Sequence, residues 1–122
     1  MKNIAKIIDH TNIRHEATAE DIKKTCQEAK THGFRGVCVN PEWVKLVKKE
    51  LRGTGIKVIS LVDPPMGDSP HSKRLKICQK AKGDGADELD VVINIPAVKH
   101  GKWEEVLKEK KILFKGHRLI KI

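Results

Sequence analysis

The chain has 122 residues, with 25 Lys plus Arg against 16 Asp plus Glu and a formal charge of +9. That length suits one modest domain, and aromatic residues at 3% leave little for base stacking, which argues against a nucleic-acid partner despite the charge. No apolar run approaches the ~20 residues of a membrane span. Met1-Lys2-Asn3-Ile4 lacks the apolar core of a signal peptide, and Cys26, Cys38 and Cys78 have neither metal-ligand nor redox spacing. The expectation is a cytoplasmic chain with free thiols, no cofactor and no metal. Eight basic residues against three acids between Lys99 and Ile122 supply +5 of the +9. Most of them alternate with glutamates, as on a solvated helix face, and attraction of a phosphorylated metabolite accounts equally well for the excess.

Strand-like and helix-like segments alternate from end to end. Ile7-Ile8-Asp9-His10-Thr11 reads as a short strand. Thr18 with Asp21 forms a capping box for a helix with Ile22, Cys26 and Ala29 on one side, and Gly33 stops it. Gly36 to Asn40 is a second strand. Asn40-Pro41 then offers an N-cap with proline at the first helical position, before a stripe of Val44, Val47 and Leu51. Lys57 to Val62 is a third strand, and Pro64-Pro65-Met66-Gly67 a rigid loop. Ser69-Pro70 caps a helix whose apolar side is Leu75, Cys78 and Ala81. Gly83-Asp84-Gly85 turns into a strand from Glu88 to Ile95, a helix runs from about Trp103 to Phe114, and Arg118 to Ile122 makes a fifth strand.

The strand after Gly85 holds the strongest functional signal. Alternation puts Leu89, Val91 and Ile93 on one face and Glu88, Asp90, Val92 and Asn94 on the other. A carboxylate there costs several kcal/mol unless paired, so it calls for a reason.

Five strands joined by helices make successive βαβ units with a parallel sheet. A doubly wound open sheet and part of a (β/α)8 barrel both satisfy this pattern. Neither Gly-x-Gly-x-x-Gly nor a phosphate loop occurs, which weakens the nucleotide-binding version. In a barrel, inward positions near the carboxyl ends of strands carry chemistry. Asp9, Asn40, Asp90, Asn94 and Lys121 all fall on expected strands or their ends.

Four segments, in order and in register, resemble deoxyribose-phosphate aldolase: Ile8-Asp9-His10-Thr11, Cys38-Val39-Asn40-Pro41, Gly85 through Asn94, and Lys99-His100-Gly101-Lys102-Trp103. The resemblance implies a class I aldolase on a (β/α)8 TIM barrel, of which residues 1–122 would form the N-terminal portion with about five βα units. It implies metal-free cleavage of 2-deoxyribose 5-phosphate to acetaldehyde and glyceraldehyde 3-phosphate through a lysine Schiff base. Carried over by position, Asp90 matches a proton-relay aspartate, and Asp9 and Lys121 match members of the same polar network. Cys38 matches a cysteine near the substrate pocket, beside which Asn40 and Asn94 are the other pocket candidates. Plainer readings are a structural strand-end acid for Asp90, a turn cap for Asp9, a solvated terminal lysine for Lys121 and a small buried hydrophobe for Cys38.

The family's Schiff-base lysine lies on the sixth strand in a Lys-Thr-Ser-x-Gly context, and no such segment occurs among these residues. The seventh-strand lysine and the later phosphate-binding loops have no counterpart either. Asp63-Pro64-Pro65-Met66-Gly67 also stands where the family usually has Gly-Phe-Pro-x-Gly. The sequence therefore predicts a chain inactive alone, with a would-be barrel lining facing water. Two edges would be open to a second copy or a complementing chain. The alternative to an enzyme is a non-catalytic half-barrel assembly module.

Overall fold

Strand order separates the two architectures that the sequence leaves open. The computed structural model describes residues 3–113 and the backbone of 118–120. Its strands are β1 (Asp9–Asn12), β2 (Gly36–Val39), β3 (Lys57–Val62), β4 (Glu88–Val91) and β5 (Arg118–Ile120), all parallel, in the spatial order β1-β2-β3-β4-β5. A doubly wound sheet reverses its strand order at a switch point, whereas a barrel adds each strand beside the last. The sheet is therefore a five-stranded arc of a (β/α)8 barrel.

The helices are α1 (Ala19–His32), α2 (Val44–Glu50), α3 (His71–Asp84), α4 (Ile95–Lys99) and α5 (Trp103–Leu113). In α1 the Thr18 side chain accepts from the Asp21 N–H, and Asp21 accepts from the Thr18 N–H in return. Gly33 closes that helix at φ +66. Alternate strand residues Val37, Val39, Val58, Val62, Leu89 and Val91 pack against Ile22, Cys26, Ala29, Val44, Val47, Cys78 and Ala81. This layer between sheet and helices is the core. The other sheet face, carrying Asp9, Thr11, Cys38, Ile59, Leu61, Glu88 and Asp90, is the concave side of the arc.

Several boundaries depart from the sequence reading. The first strand starts at Asp9, because Asn3 caps a 3-10 turn over Ile4–Ile7 and the Ile8 N–H bonds to Ala5 O. Asp9 therefore begins its strand. The fourth strand ends at Val91, because Asn94 caps α4 and Pro96 sits in that helix's first turn. Asn40 makes no capping bond, and Pro41–Trp43 is a 3-10 turn ahead of α2. Ser69 does not cap α3; Pro70 holds that position and the Ser69 side chain turns back to Asp63. The fifth strand runs as expected over Arg118–Ile120, whereas Phe114 and Lys121 lie outside the described residues.

The barrel lining is also less wet than expected. Cys38, Ile59 and Glu88 are 3%, 1% and 2% exposed; Asp9, Leu61 and Asp90 are half-buried, and Thr11 at the β1 edge is exposed. The sheet curls tightly enough for one guanidinium, Arg35, to reach both Asp9 on β1 and Glu88 on β4. That bridge covers the lower part of the concave face.

Candidate active site

Asp90 is the third residue of β4, in register with Leu61 of β3, and Glu88 is in register with Ile59. Cys38 is in register with Ile59 from the other side. Cys38 and Asp90 thus share the concave face, two strand spacings or about 10 Å apart laterally, with Asp90 one row nearer the carboxyl ends of the strands. Chemistry on a barrel belongs at those ends. Polar side chains along this face are therefore sorted into two levels.

The lower level is an ion cluster. Arg35 Nη1 donates to Asp9 Oδ1 at 2.8 Å, and Arg35 Nη2 donates to Glu88 Oε2. These bonds hold the guanidinium above its ordinary pKa, against the opposing effect of burial. Glu88 Oε1 is buried with no hydrogen-bond partner among the described residues. Gly36 makes the cluster fit. A Cβ there would meet Ile59 Cδ1 at 2.8 Å and Asp9 Oδ1 at 3.1 Å, so a side chain would make the Ile59 tip and the Asp9 carboxylate shift away from β2.

A second network fixes the loop beyond β3. Arg74, 2% exposed, donates Nη1 to Asp63 Oδ2 at 2.9 Å and Nε to both Glu109 oxygens at 3.1 Å. Its Nη2 lies 3.0 Å from Glu109 Oε1, and His71 Nδ1 sits 2.8 Å from Glu109 Oε2. Asp63 also accepts from the Ser69 N–H at 3.0 Å and from the Ser69 hydroxyl at 2.5 Å. Burial pushes the Asp63 carboxyl up, but these bonds with Arg74 outweigh it and hold the group below its ordinary value. Asp63 has φ 60, the left-handed region where glycine is at ease and an aspartate is tolerated. The loop then docks on the end of β4. Gly67, at φ +66, sits where a Cβ would lie 2.2 Å from Ile93 O, and Met66 O accepts from the Ile95 N–H at 3.0 Å. Arg74 thus anchors, through Asp63, the loop that abuts the segment following Asp90.

The in-order parallel strands suit a barrel, and residues 3–115 match DeoC/LacD family aldolase. The chain belongs to that family. It is 45% identical over 105 residues to the deoxyribose-phosphate aldolase of Actinobacillus succinogenes, covering 86% of this chain and 47% of that protein. Among solved structures it superposes on QR15, an aldolase, with TM-score 0.87 at 32% identity, covering 93% of this chain and 51% of that one. It also superposes on the tetrameric deoxyribose phosphate aldolase of Aeropyrum pernix, with TM-score 0.71 at 28% identity, covering 86% and 48%. The chain spans about half the length of the curated relatives it matches.

In this aldolase-family chain the candidate residues fall in different places. Asp90 and Cys38 lie on the concave face. Asp9 lies there too, but at the amino end of β1 and held by Arg35. Asn40 is 8% exposed and its Nδ2 donates to Ile13 O at 3.1 Å, tying the end of β2 to the loop after β1. Asn94 Oδ1 accepts from the Ala97 N–H at 3.0 Å, which commits the side chain to capping α4. Lys121 falls outside the described residues. Among the described residues no group of three or more His, Cys, Asp or Glu side chains is placed to hold a metal ion. None of their helices is long and apolar enough to cross a membrane.

The sequence reading assigned no role to Arg35, Glu88, Arg74 or Glu109. Signals were there for two of them. Glu88 alternates onto the same face as Asp90, and Arg74 precedes Cys78 and Ala81 at i+4 and i+7, on the buried stripe of α3.

Proposed function

We propose that this chain supplies the proton-handling half of a deoxyribose-phosphate aldolase site, with Asp90 as the relay. The supporting observation is the position of Asp90. It is half-buried on the concave face near the carboxyl end of β4, one row above the Arg35 cluster, in a chain of the aldolase family. In the reaction that the resemblance implies, a lysine amine attacks the substrate carbonyl and water leaves, giving an imine. The protonated imine draws electrons from the carbon–carbon bond as it breaks, and a carboxylate with water moves the protons. Asp90 suits that carboxylate, with Cys38 and Asn40 bordering the substrate space. Asp9 acts from below, holding Arg35 and the curl of the sheet. Lys121 joins the network by resemblance. The substrate is a small phosphorylated sugar, and the polypeptide of 122 residues forms no imine by itself, since it contains no Lys-Thr-Ser-x-Gly segment.

Borohydride trapping with 2-deoxyribose 5-phosphate tests both parts. The 122-residue polypeptide should gain no mass; a trapped adduct would refute its inactivity. Supplied with a chain carrying the later strands of a relative, it should turn over. Asp90→Asn should then lower kcat by about 100-fold or more, and an unchanged rate would remove Asp90 from the mechanism. A second reading, assembly through the β1 side, has its own support: Ile4, Ile7 and Ile13 are 65%, 77% and 41% exposed there. Light scattering distinguishes it, because a monomer at all concentrations excludes self-assembly.

A further inference from the structure

A second basic cluster, outside residues 99–122, is one that the aldolase reading does not use. At the amino ends of the strands lies a cleft of about 490 Å³, lined by Lys6, Lys30, Phe34, Arg35, Gly55 and Lys57 among others, with no acid among the described residues of its lining. Its volume is that of a small-molecule site. The Arg35 guanidinium is committed to Asp9 and Glu88. Lys6, Lys30 and Lys57, like most described lysines, have no ion-pair partner among the described residues; what sets them apart is that one cleft gathers all three.

The three lysines come from three segments locked together by backbone hydrogen bonds. The Arg35 N–H bonds to Ala5 O at 3.1 Å and Ile8 O at 2.9 Å, and the Lys57 N–H bonds to Arg35 O at 3.0 Å. Lys30 sits in the last turn of α1, whose end is fixed by the Phe34 N–H to Ala29 O at 3.0 Å. The backbone positions are therefore set before any ligand arrives, which lowers the ordering cost of binding. Like charges gathered in a cleft repel one another and concentrate positive potential there. A compact, multiply charged anion removes that repulsion and matches the strongly hydrated, point-like charge of lysine.

We propose that this cleft binds a small polyphosphate-type anion, for which inorganic pyrophosphate is the probe. It lies at the strand ends opposite to those toward which Asp90 is placed, so the inference stands apart from the aldolase reading.

Titration of the 122-residue protein with pyrophosphate, followed by amide NMR, is the test. Saturable shifts should centre on Gly33, Gly55 and Lys57 and weaken with salt. Lys6→Ala/Lys30→Ala/Lys57→Ala should weaken binding about tenfold or more. Lys24→Ala/Lys73→Ala/Lys76→Ala removes the same charge from exposed positions outside the cleft and should leave affinity within about twofold. Circular dichroism of both variants checks folding. Absence of saturable shifts in the parent protein overturns the proposal, as does equal weakening by the two folded triple variants. If the cleft variant does not fold, Lys57→Gln alone must still weaken binding severalfold, and unchanged affinity there overturns it.

Discussion

Arg74→Met is the most informative single change in the fold. The guanidinium makes bonds of 2.9 Å to Asp63 and 3.0 to 3.1 Å to Glu109 from a site 2% exposed. Burial lowers its pKa, and the Glu109 and Asp63 carboxylates more than restore it. Methionine keeps the aliphatic stem in place but leaves two carboxylates in a poorly solvated place without their cation. Breaking a buried pair from one side costs about 3–5 kcal/mol. The lower end applies here, because Asp63 keeps both Ser69 bonds and Glu109 keeps His71. A loss of about 3 kcal/mol, with a urea m value of about 1–3 kcal/mol/M, lowers the unfolding midpoint by about 1–3 M. Urea titration followed by circular dichroism reads this shift. Arg74→Met/Glu109→Leu should recover part of it, since it removes one of the stranded charges. A loss below about 1 kcal/mol would mean that the pairs behave as solvated surface pairs. The account of the loop anchor would then be wrong.

Gly67→Ala should destabilise by about 2–4 kcal/mol, adding a left-handed backbone penalty to overpacking against Ile93 O. Gly53→Ala, with φ +79 and open space, should cost only about 1 kcal/mol; equal midpoints for the two would discount the docked loop. Asp63 titrates lower folded than unfolded, so its contribution is fully present above its unfolded pKa of about 4 and is lost as pH falls through the folded value. Asp63→Asn should accordingly flatten the fall in stability below about pH 4, and an unaltered acid slope would contradict the assignment. Cys26 and Cys78 have thiols pushed up to about 11 by burial, so at pH 8 a disulfide reagent should modify them far more slowly in native protein than in urea. Comparable rates would show that the core opens freely.

Most elements were legible because their determinants are local. The Thr18–Asp21 box, Gly33 and the alternation of Val37 and Val39 fix a helix start, a helix stop and a buried strand without distant help. The misread ends are those where a side chain had two possible employers. Ser69 could cap α3 or bond Asp63, and it bonds Asp63 because Arg74 brings a cation there. Asn94 could continue a strand or cap a helix, and Pro96 two residues later, in the first turn of α4, decides for the cap. Of the candidate residues, the strand face of Asp90 was legible from the period of two and Cys38 was named by resemblance; the fold puts both on the concave face, whereas Asn40 and Asn94 turn out to be committed to backbone groups.

The sequence by itself determined the alternation of strands and helices, the acid-bearing face of β4 and, through its motifs, the aldolase family. These depend on residue type and spacing along a few turns of chain. Only the tertiary structure decided that neighbouring strands are added in order, which makes the sheet a barrel arc. It alone joined Asp9, Arg35 and Glu88 across 79 residues of sequence, and Asp63, Arg74 and Glu109 across 46. Such pairings depend on how tightly the sheet curls and which helix lies beside which loop. No local propensity carries that information. Charges meet across those distances only after the apolar faces have packed.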